Sequence, residues 1–203
     1  VQAVMQFQTG RNFSLSANFH GGAVVVNYPW DTTAEEHSQE ELVKRLSLEY
    51  AEHNSTMWNS SRFENGIVRG STWYEINGGM QDWSYHWHQD LQVTVELSYD
   101  KWPEYDLLDG FYQENRESLL TFLGKIHQGI NLQFESIDSG SIELYKLDSQ
   151  GKTLIKRSIF TGGEYHKVLP AGSYQFIVKS DEQVFTRSID ISEGKLSREM
   201  LIL

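Results

Sequence analysis

Residues 66–103, GIVRGSTWYEINGGMQDWSYHWHQDLQVTVELSYDKWP, hold in one run a tyrosine, a double-glycine turn and a glutamate set in an apolar strand. Thr72–Ile76 reads as a short strand, because aromatic and β-branched side chains fit a pleated, half-buried surface. Gly78 and Gly79 end it, since residues without a Cβ let the backbone turn where others clash. Leu91–Leu97 (LQVTVEL) then reads as a second strand. There Glu96 lies between Val95 and Leu97, and a carboxylate in apolar company needs a partner or a function. A glutamate facing solvent across the alternation is the plain alternative.

Upstream, residues 1–26 read as strand, first AVMQF and then FSLSANF, where Phe13, Leu15, Ala17 and Phe19 alternate with Ser14, Ser16 and Asn18. The strand should end at His20, with Gly21-Gly22 turning the chain into a buried AVVV run that Pro29 breaks. Thr33 and Glu36 have capping-box spacing, and Leu42, Leu46 and Tyr50 give one helical face through about His53. Asn54 to Gly70 is polar and reads as a long surface loop. Leu107 to Gln128 reads as a second helix with Gly129 as its C-cap. After Gly129 the texture changes to short alternating runs, SIELYKL, LIKRSIF, SYQFIVKS, VFTRSIDI and SREMLIL. Turn signals at Asp148–Gly151, Gly162-Gly163, Pro170–Gly172 and Glu193-Gly194 separate them, which predicts a small all-β sandwich. The division is therefore expected at 128/129, with domains 1–128 and 129–203.

The net charge of −11, from 17 Lys+Arg against 28 Asp+Glu with no basic run, argues against nucleic acid or an anionic membrane as partner and suits a cationic ligand better. There is no cysteine, so any metal site must be built from His, Asp and Glu. No apolar run approaches the roughly 18–20 residues of a membrane span. Val1 is not an initiator methionine, so the chain is expected to continue upstream and the lack of a signal peptide carries no weight.

Several residues carry chemistry with a plainer alternative beside each. His20, at a strand end next to two glycines, suits either a metal ligand or a hydrogen-bonded structural histidine. Tyr74 stands just before the GGMQDW turn, where packing is the plain reading. Asp31 after NYPW suits a cap for the following helix. Gln81 falls in the same turn motif, where Asp82 and Trp83 are expected to hold the turn. His86, His88 and Asp90 would share one face of a strand and invite a metal reading, against exposed histidines on an edge. The tryptophans fit core and turn packing better than carbohydrate stacking.

The 66–103 stretch, read with NFSLSANFHGGAVVVNYPWD and LPAGSY, resembles the C-terminal half of an M14 zinc metallocarboxypeptidase of the regulatory, carboxypeptidase N/E-like group, followed by its transthyretin-like domain. The resemblance covers nearly the whole chain. It implies an α/β mixed-sheet carboxypeptidase fold, C-terminal part only, then an all-β transthyretin-like sandwich. It also implies hydrolysis of the C-terminal residue of peptides, Lys or Arg if Asp31 and Gln81 line the terminal-residue pocket. By the same resemblance His20 is the third zinc ligand, Glu96 the general base and Tyr74 the group that reaches the substrate carboxylate. The family's upstream His-x-x-Glu ligands have no match here, so one of three Zn2+ ligands is expected in this chain and the missing half of the catalytic domain is an expected partner. Secretion or a periplasmic location is the family's implication. A non-catalytic protein that binds peptide ends, or acts as a scaffold, is the alternative.

Overall fold

In residues 15–125 a four-stranded sheet sets the frame: β1 (Leu15–His20), β2 (Ala23–Tyr28), β3 (Ile67–Arg69) and β4 (Leu91–Ser98), in the order β1-β4-β2-β3. β1 runs parallel to β4, β4 antiparallel to β2, and β2 parallel to β3, a mixed α/β arrangement. Every residue of β2 is buried, as its unbroken apolar run requires of a strand covered on both faces. The computed structural model describes residues 1–135, 137–180 and 183–201. Its contacts form two units, residues 15–125, and residues 1–14 together with 126 onward.

The helix α2 (Glu40–Glu52) lies against β2 and against α6 (Leu108–Gly124), burying Leu42, Val43, Leu46 and Tyr50. It starts at Glu40, not at the Thr33 box, because the Thr33 hydroxyl accepts from Glu35 N at 3.1 Å and closes a local turn instead. The expected loop 54–70 is also structured: Asn54 Oδ1 accepts from Met57 N at 3.0 Å and caps the one-turn helix α3 (Ser55–Trp58), burying Met57. A 3₁₀ turn at Glu64–Gly66 and strand β3 follow. The strand expected at Thr72–Ile76 is instead the one-turn helix α4 (Gly70–Trp73) followed by an extended Tyr74. The segment read as His-bearing strand is helix α5 (Met80–His88), stopped by Gln89 in the left-handed region. The strand ends at His20 and Ser98 and the body of α6 follow the sequence pattern, though α6 gives way to a 3₁₀ turn at Lys125–His127.

The second unit is all-β apart from α1 (Gln2–Thr9), so the strand expected in AVMQF is a helix; Ala, Met and Gln are strong helix formers. Its strands are β5 (Gly129–Phe134), β6 (Ser139–Asp148), β7 (Gly151–Thr161), β8 (Glu164–Lys167), β9 (Gly172–Lys179), β10 (Val184–Ile191) and β11 (Leu196–Leu201). They form a four-stranded sheet, β10-β9-β6-β7, and a three-stranded one, β11-β5-β8. Both sheets feed one core, with Ile130 and Leu132 from β5 and Leu144, Phe160 and Phe176 from the other sheet. Gly129 opens β5 at φ +121, where an added Cβ would come within 2.1 Å of Lys167 O. Asn12 Nδ2 donates to Thr161 O at 3.1 Å and Ser14 Oγ to His166 O at 3.0 Å, which ties the N-terminal segment to this unit. Among the described residues no helix is long and apolar enough to cross a membrane.

Candidate active site

The pairing register decides which side chains meet. Ser16, Asn18 and His20 of β1 stand opposite Gln92, Thr94 and Glu96 of β4, and Asn27 of β2 stands opposite Thr94 from the other side. Side chains alternate across a sheet with period two, so all seven share one face and make it a polar floor.

At one end of that floor His20 Nδ1 lies 3.9 Å from Glu96 Oε1, the histidine side chain 59% exposed and the glutamate 9%. Glu96 does not face open solvent. Its Oε2 is buried and accepts no hydrogen bond from the described residues. Burial raises the Glu96 pKa, with His20 and Lys101 pulling it back down. A desolvated carboxylate with an unused oxygen suits proton abstraction from a water held beside it. A cavity of about 530 Å³ opens next to His20, lined also by Phe19, Leu97, Lys101 and Phe111.

Further along the floor a second buried carboxylate is held in a tight cradle. Asp31 Oδ1 accepts from Asn27 Nδ2 at 3.0 Å and from Gln81 Nε2 at 2.9 Å. Gly70 and Gly79 close over it: a Cβ on Gly70 would come within 1.7 Å of Asp31 Oδ1, and one on Gly79 within 2.9 Å of Oδ2. Burial is the main cause that pushes the Asp31 pKa up to about 6; Asp82 adds to it, and the Asn27 and Gln81 hydrogen bonds oppose it. Asp31 does not cap α2. The turn is held by Asp82, whose carboxylate accepts from Asp31 N at 2.9 Å and from Thr32 N at 2.9 Å and Thr32 Oγ1 at 2.7 Å.

Tyr74 follows α4 with half its surface exposed and its ring against Trp73. Its segment is bound to the Asp31 turn on both sides, by Ser71 N donating to Trp30 O at 2.8 Å and Ile76 N to Asp31 O at 3.1 Å. Asp31 and Gln81 are thus in direct contact, His20 and Glu96 are neighbours, and Tyr74 is tied to the Asp31 turn through backbone. The His86, His88 and Asp90 grouping is not formed: on a helix, residues two apart diverge by roughly 200°, and Asp90 is buried past the end of α5, where it accepts from Ser16 Oγ. Asn27, Thr94 and Gly70 were missed from sequence. The available signal was a polar side chain inside an otherwise apolar strand, Asn27 after AVVV and Thr94 within QVTVE.

Among the described residues no group of three or more His, Asp or Glu could hold a metal ion. A catalytic zinc takes three protein ligands and keeps one open position, so His20 with Glu96 does not by itself fit the ion.

The face thus carries an exposed histidine beside one buried carboxylate and, further along, a second buried carboxylate, acid–base groups of the kind a hydrolase uses. The family model described as zinc carboxypeptidase matches residues 1–118. Carboxypeptidase D of Anas platyrhynchos is 32% identical over 216 aligned residues, covering 96% of this chain and 15% of that protein. The carboxypeptidase N catalytic chain of Mus musculus is 34% identical, with 88% and 42% covered. Carboxypeptidase M of Mus musculus is 31% identical, with 85% and 42% covered. The chain therefore belongs to the M14 zinc carboxypeptidase family, with regulatory carboxypeptidases among its relatives. It spans less than half the length of each of these relatives.

Proposed function

We propose that the protein acts in removing the C-terminal residue, Lys or Arg by preference, from peptides or proteins. Glu96 takes the proton of the attacking water and returns it to the leaving amine. Asp31, presented by Gln81 and Asn27, receives the basic side chain of the terminal residue, a charge-assisted pairing that an apolar side chain cannot offer. Tyr74 reaches the substrate's terminal carboxylate. His20 is one ligand of the family's zinc, and the remaining ligands come from polypeptide outside these 203 residues. Residues 129–203 serve as the family's transthyretin-like domain.

The observation that carries this reading is the pair of buried carboxylates on one strand-built floor: Thr94, two residues before Glu96 on the same face of β4, donates to Gln81 Oε1 at 2.9 Å, and Gln81 donates to Asp31. Charge supports it. Residues 15–125 hold 18 Asp+Glu against 7 Lys+Arg, so the whole net charge of −11 belongs to the unit that carries the site. A second reading is a protein that binds chain ends without cleaving them. One experiment separates them. With zinc supplied and the complete polypeptide that contains this chain, peptides differing only in a final Arg or Phe should be cleaved with kcat/KM values about a hundredfold apart. Equal rates would remove the basic preference, and binding without cleavage would favour the second reading.

A further inference from the structure

We propose that Asn18 is a positioning residue for the terminal-residue pocket, the source of a one-way hydrogen-bond relay through Thr94 and Gln81 that fixes the Asp31 carboxylate. This rests on the reading of Asp31 as the carboxylate that meets the substrate.

The direction of each bond follows from hydrogen count. The Asn18 amide nitrogen lies 3.0 Å from Thr94 Oγ1 and 3.3 Å from Gln92 Oε1, and an amide nitrogen can only donate. Thr94 therefore accepts from Asn18, and its single hydrogen goes to Gln81 Oε1 at 2.9 Å. With its oxygen so engaged, Gln81 turns its NH2 group to Asp31 Oδ1 at 2.9 Å. The second branch has the same sense: Gln92 accepts from Asn18, donates to Ser16 Oγ at 2.8 Å, and Ser16 donates to Asp90. Every donor points away from Asn18, and each branch ends on a buried carboxylate, Asp31 or Asp90. Reversing any amide would set oxygen against oxygen.

The relay has a consequence for recognition. Asn27 and Gln81 both occupy Oδ1, so Oδ2, beside Gly79, is the Asp31 oxygen that receives no hydrogen bond among the described residues. That oxygen is the one presented to a cation. Asn18 touches neither carboxylate at this pocket. It sits on β1 two residues before His20, so the strand that carries the candidate ligand also sets the pocket.

The test uses Asn18→Asp, which keeps the shape but replaces the donor with an acceptor, drawing the Thr94 hydroxyl away from Gln81. Thr94→Val cuts the same branch without adding charge, and Ser16→Ala cuts only the other. In the complete enzyme, Asn18→Asp and Thr94→Val should each raise KM for an Arg-ended peptide roughly fivefold to tenfold, the worth of about one hydrogen bond, with kcat little changed. The double variant should be no worse than either single one, because both break one chain; additive losses would indicate two unrelated structural defects and overturn the relay. Ser16→Ala should leave KM unchanged, and an equal rise there would overturn the proposal. In the 203-residue chain, the Asp31 carboxyl titration followed by ¹³C NMR should move upward in Thr94→Val as the Gln81 donor is released. An unmoved Asp31 titration overturns the relay. Equal wild-type rates on Arg-ended and Phe-ended peptides would instead defeat the basic-substrate reading, and the NMR titration would still decide the relay.

Discussion

His20 and Glu96 occupy paired positions at the ends of two parallel strands, β1 and β4, with Nδ1 and Oε1 3.9 Å apart. The pairing is a product of register: sliding β1 by one residue would turn His20 to the opposite face and leave Glu96 alone. The exposed imidazole can take a ligand from outside while the buried carboxylate keeps one oxygen unused. One ligand is not a metal site, however, and that sets the first expectation. The 203-residue chain, purified and dialysed without a companion fragment, should retain substoichiometric zinc by metal analysis, since one imidazole does not hold the ion against water. Stoichiometric zinc in that sample would mean the ligand set has been misread.

Asp31 should leave a mark on the pH dependence of stability. Its carboxyl titrates near 6 when folded, against an ordinary value of 3.8, so between these values the folded protein binds more protons than the unfolded one. Stability on its account is full below about pH 4, falls as pH rises toward 6, and is level above. Denaturation midpoints of Asp31→Asn should lack that decline over the same interval; a parallel curve would place the titration elsewhere.

The glycine cradle predicts a localised steric defect. Gly70→Ala would drive a Cβ to within 1.7 Å of Asp31 Oδ1, and overpacking of this kind costs about 1–3 kcal/mol. Gly110→Ala is the control, since a Cβ there, in the first turn of α6, meets nothing within 4 Å and should be neutral or stabilising. Equal denaturation midpoints for the two variants would show that Asp31 is free to move aside.

Much of this arrangement was legible in the sequence, and the failures share a cause. β1, β2, β4, α2 and α6 announced themselves because each is long enough for its apolar period to repeat. α3, α4 and β3 are too short for any period, and are set by caps and tertiary contacts such as Met57 and Phe63 packed inside. α5 carried aromatic and histidine residues at nearly every position, which imitates a strand until the Gly79 start and the left-handed Gln89 stop are seen. In the candidate site, His20, Glu96, Asp31 and Gln81 were singled out from their motifs. Asn18, Asn27 and Thr94 were not, because a polar residue in a strand reads as solvent-facing until the register shows what covers it.

A structural ion pair next to the Gly70 contact offers a test of stability. Arg69 Nε donates to Glu40 Oε1 at 3.1 Å and Nη2 adds a second bond, with Glu40 buried at the start of α2. Arg69→Ala would leave that carboxylate with the His37 N–H at 3.3 Å as its remaining donor among the described residues and should cost about 3 kcal/mol, much of it recovered when Glu40→Leu is added. A loss below about 1 kcal/mol in chemical denaturation, the usual worth of a surface pair, would show that water reaches Glu40 freely.

If Glu96 handles the proton of the attacking water, Glu96→Gln in the complete, zinc-loaded protein should cut turnover at the chemical step. The amide keeps the shape of the side chain and cannot take a proton. Turnover of an Arg-ended peptide should fall by about 10²–10⁴-fold, with zinc content and peptide binding retained. Turnover within about tenfold of wild type, below that general-base range, would contradict the assignment.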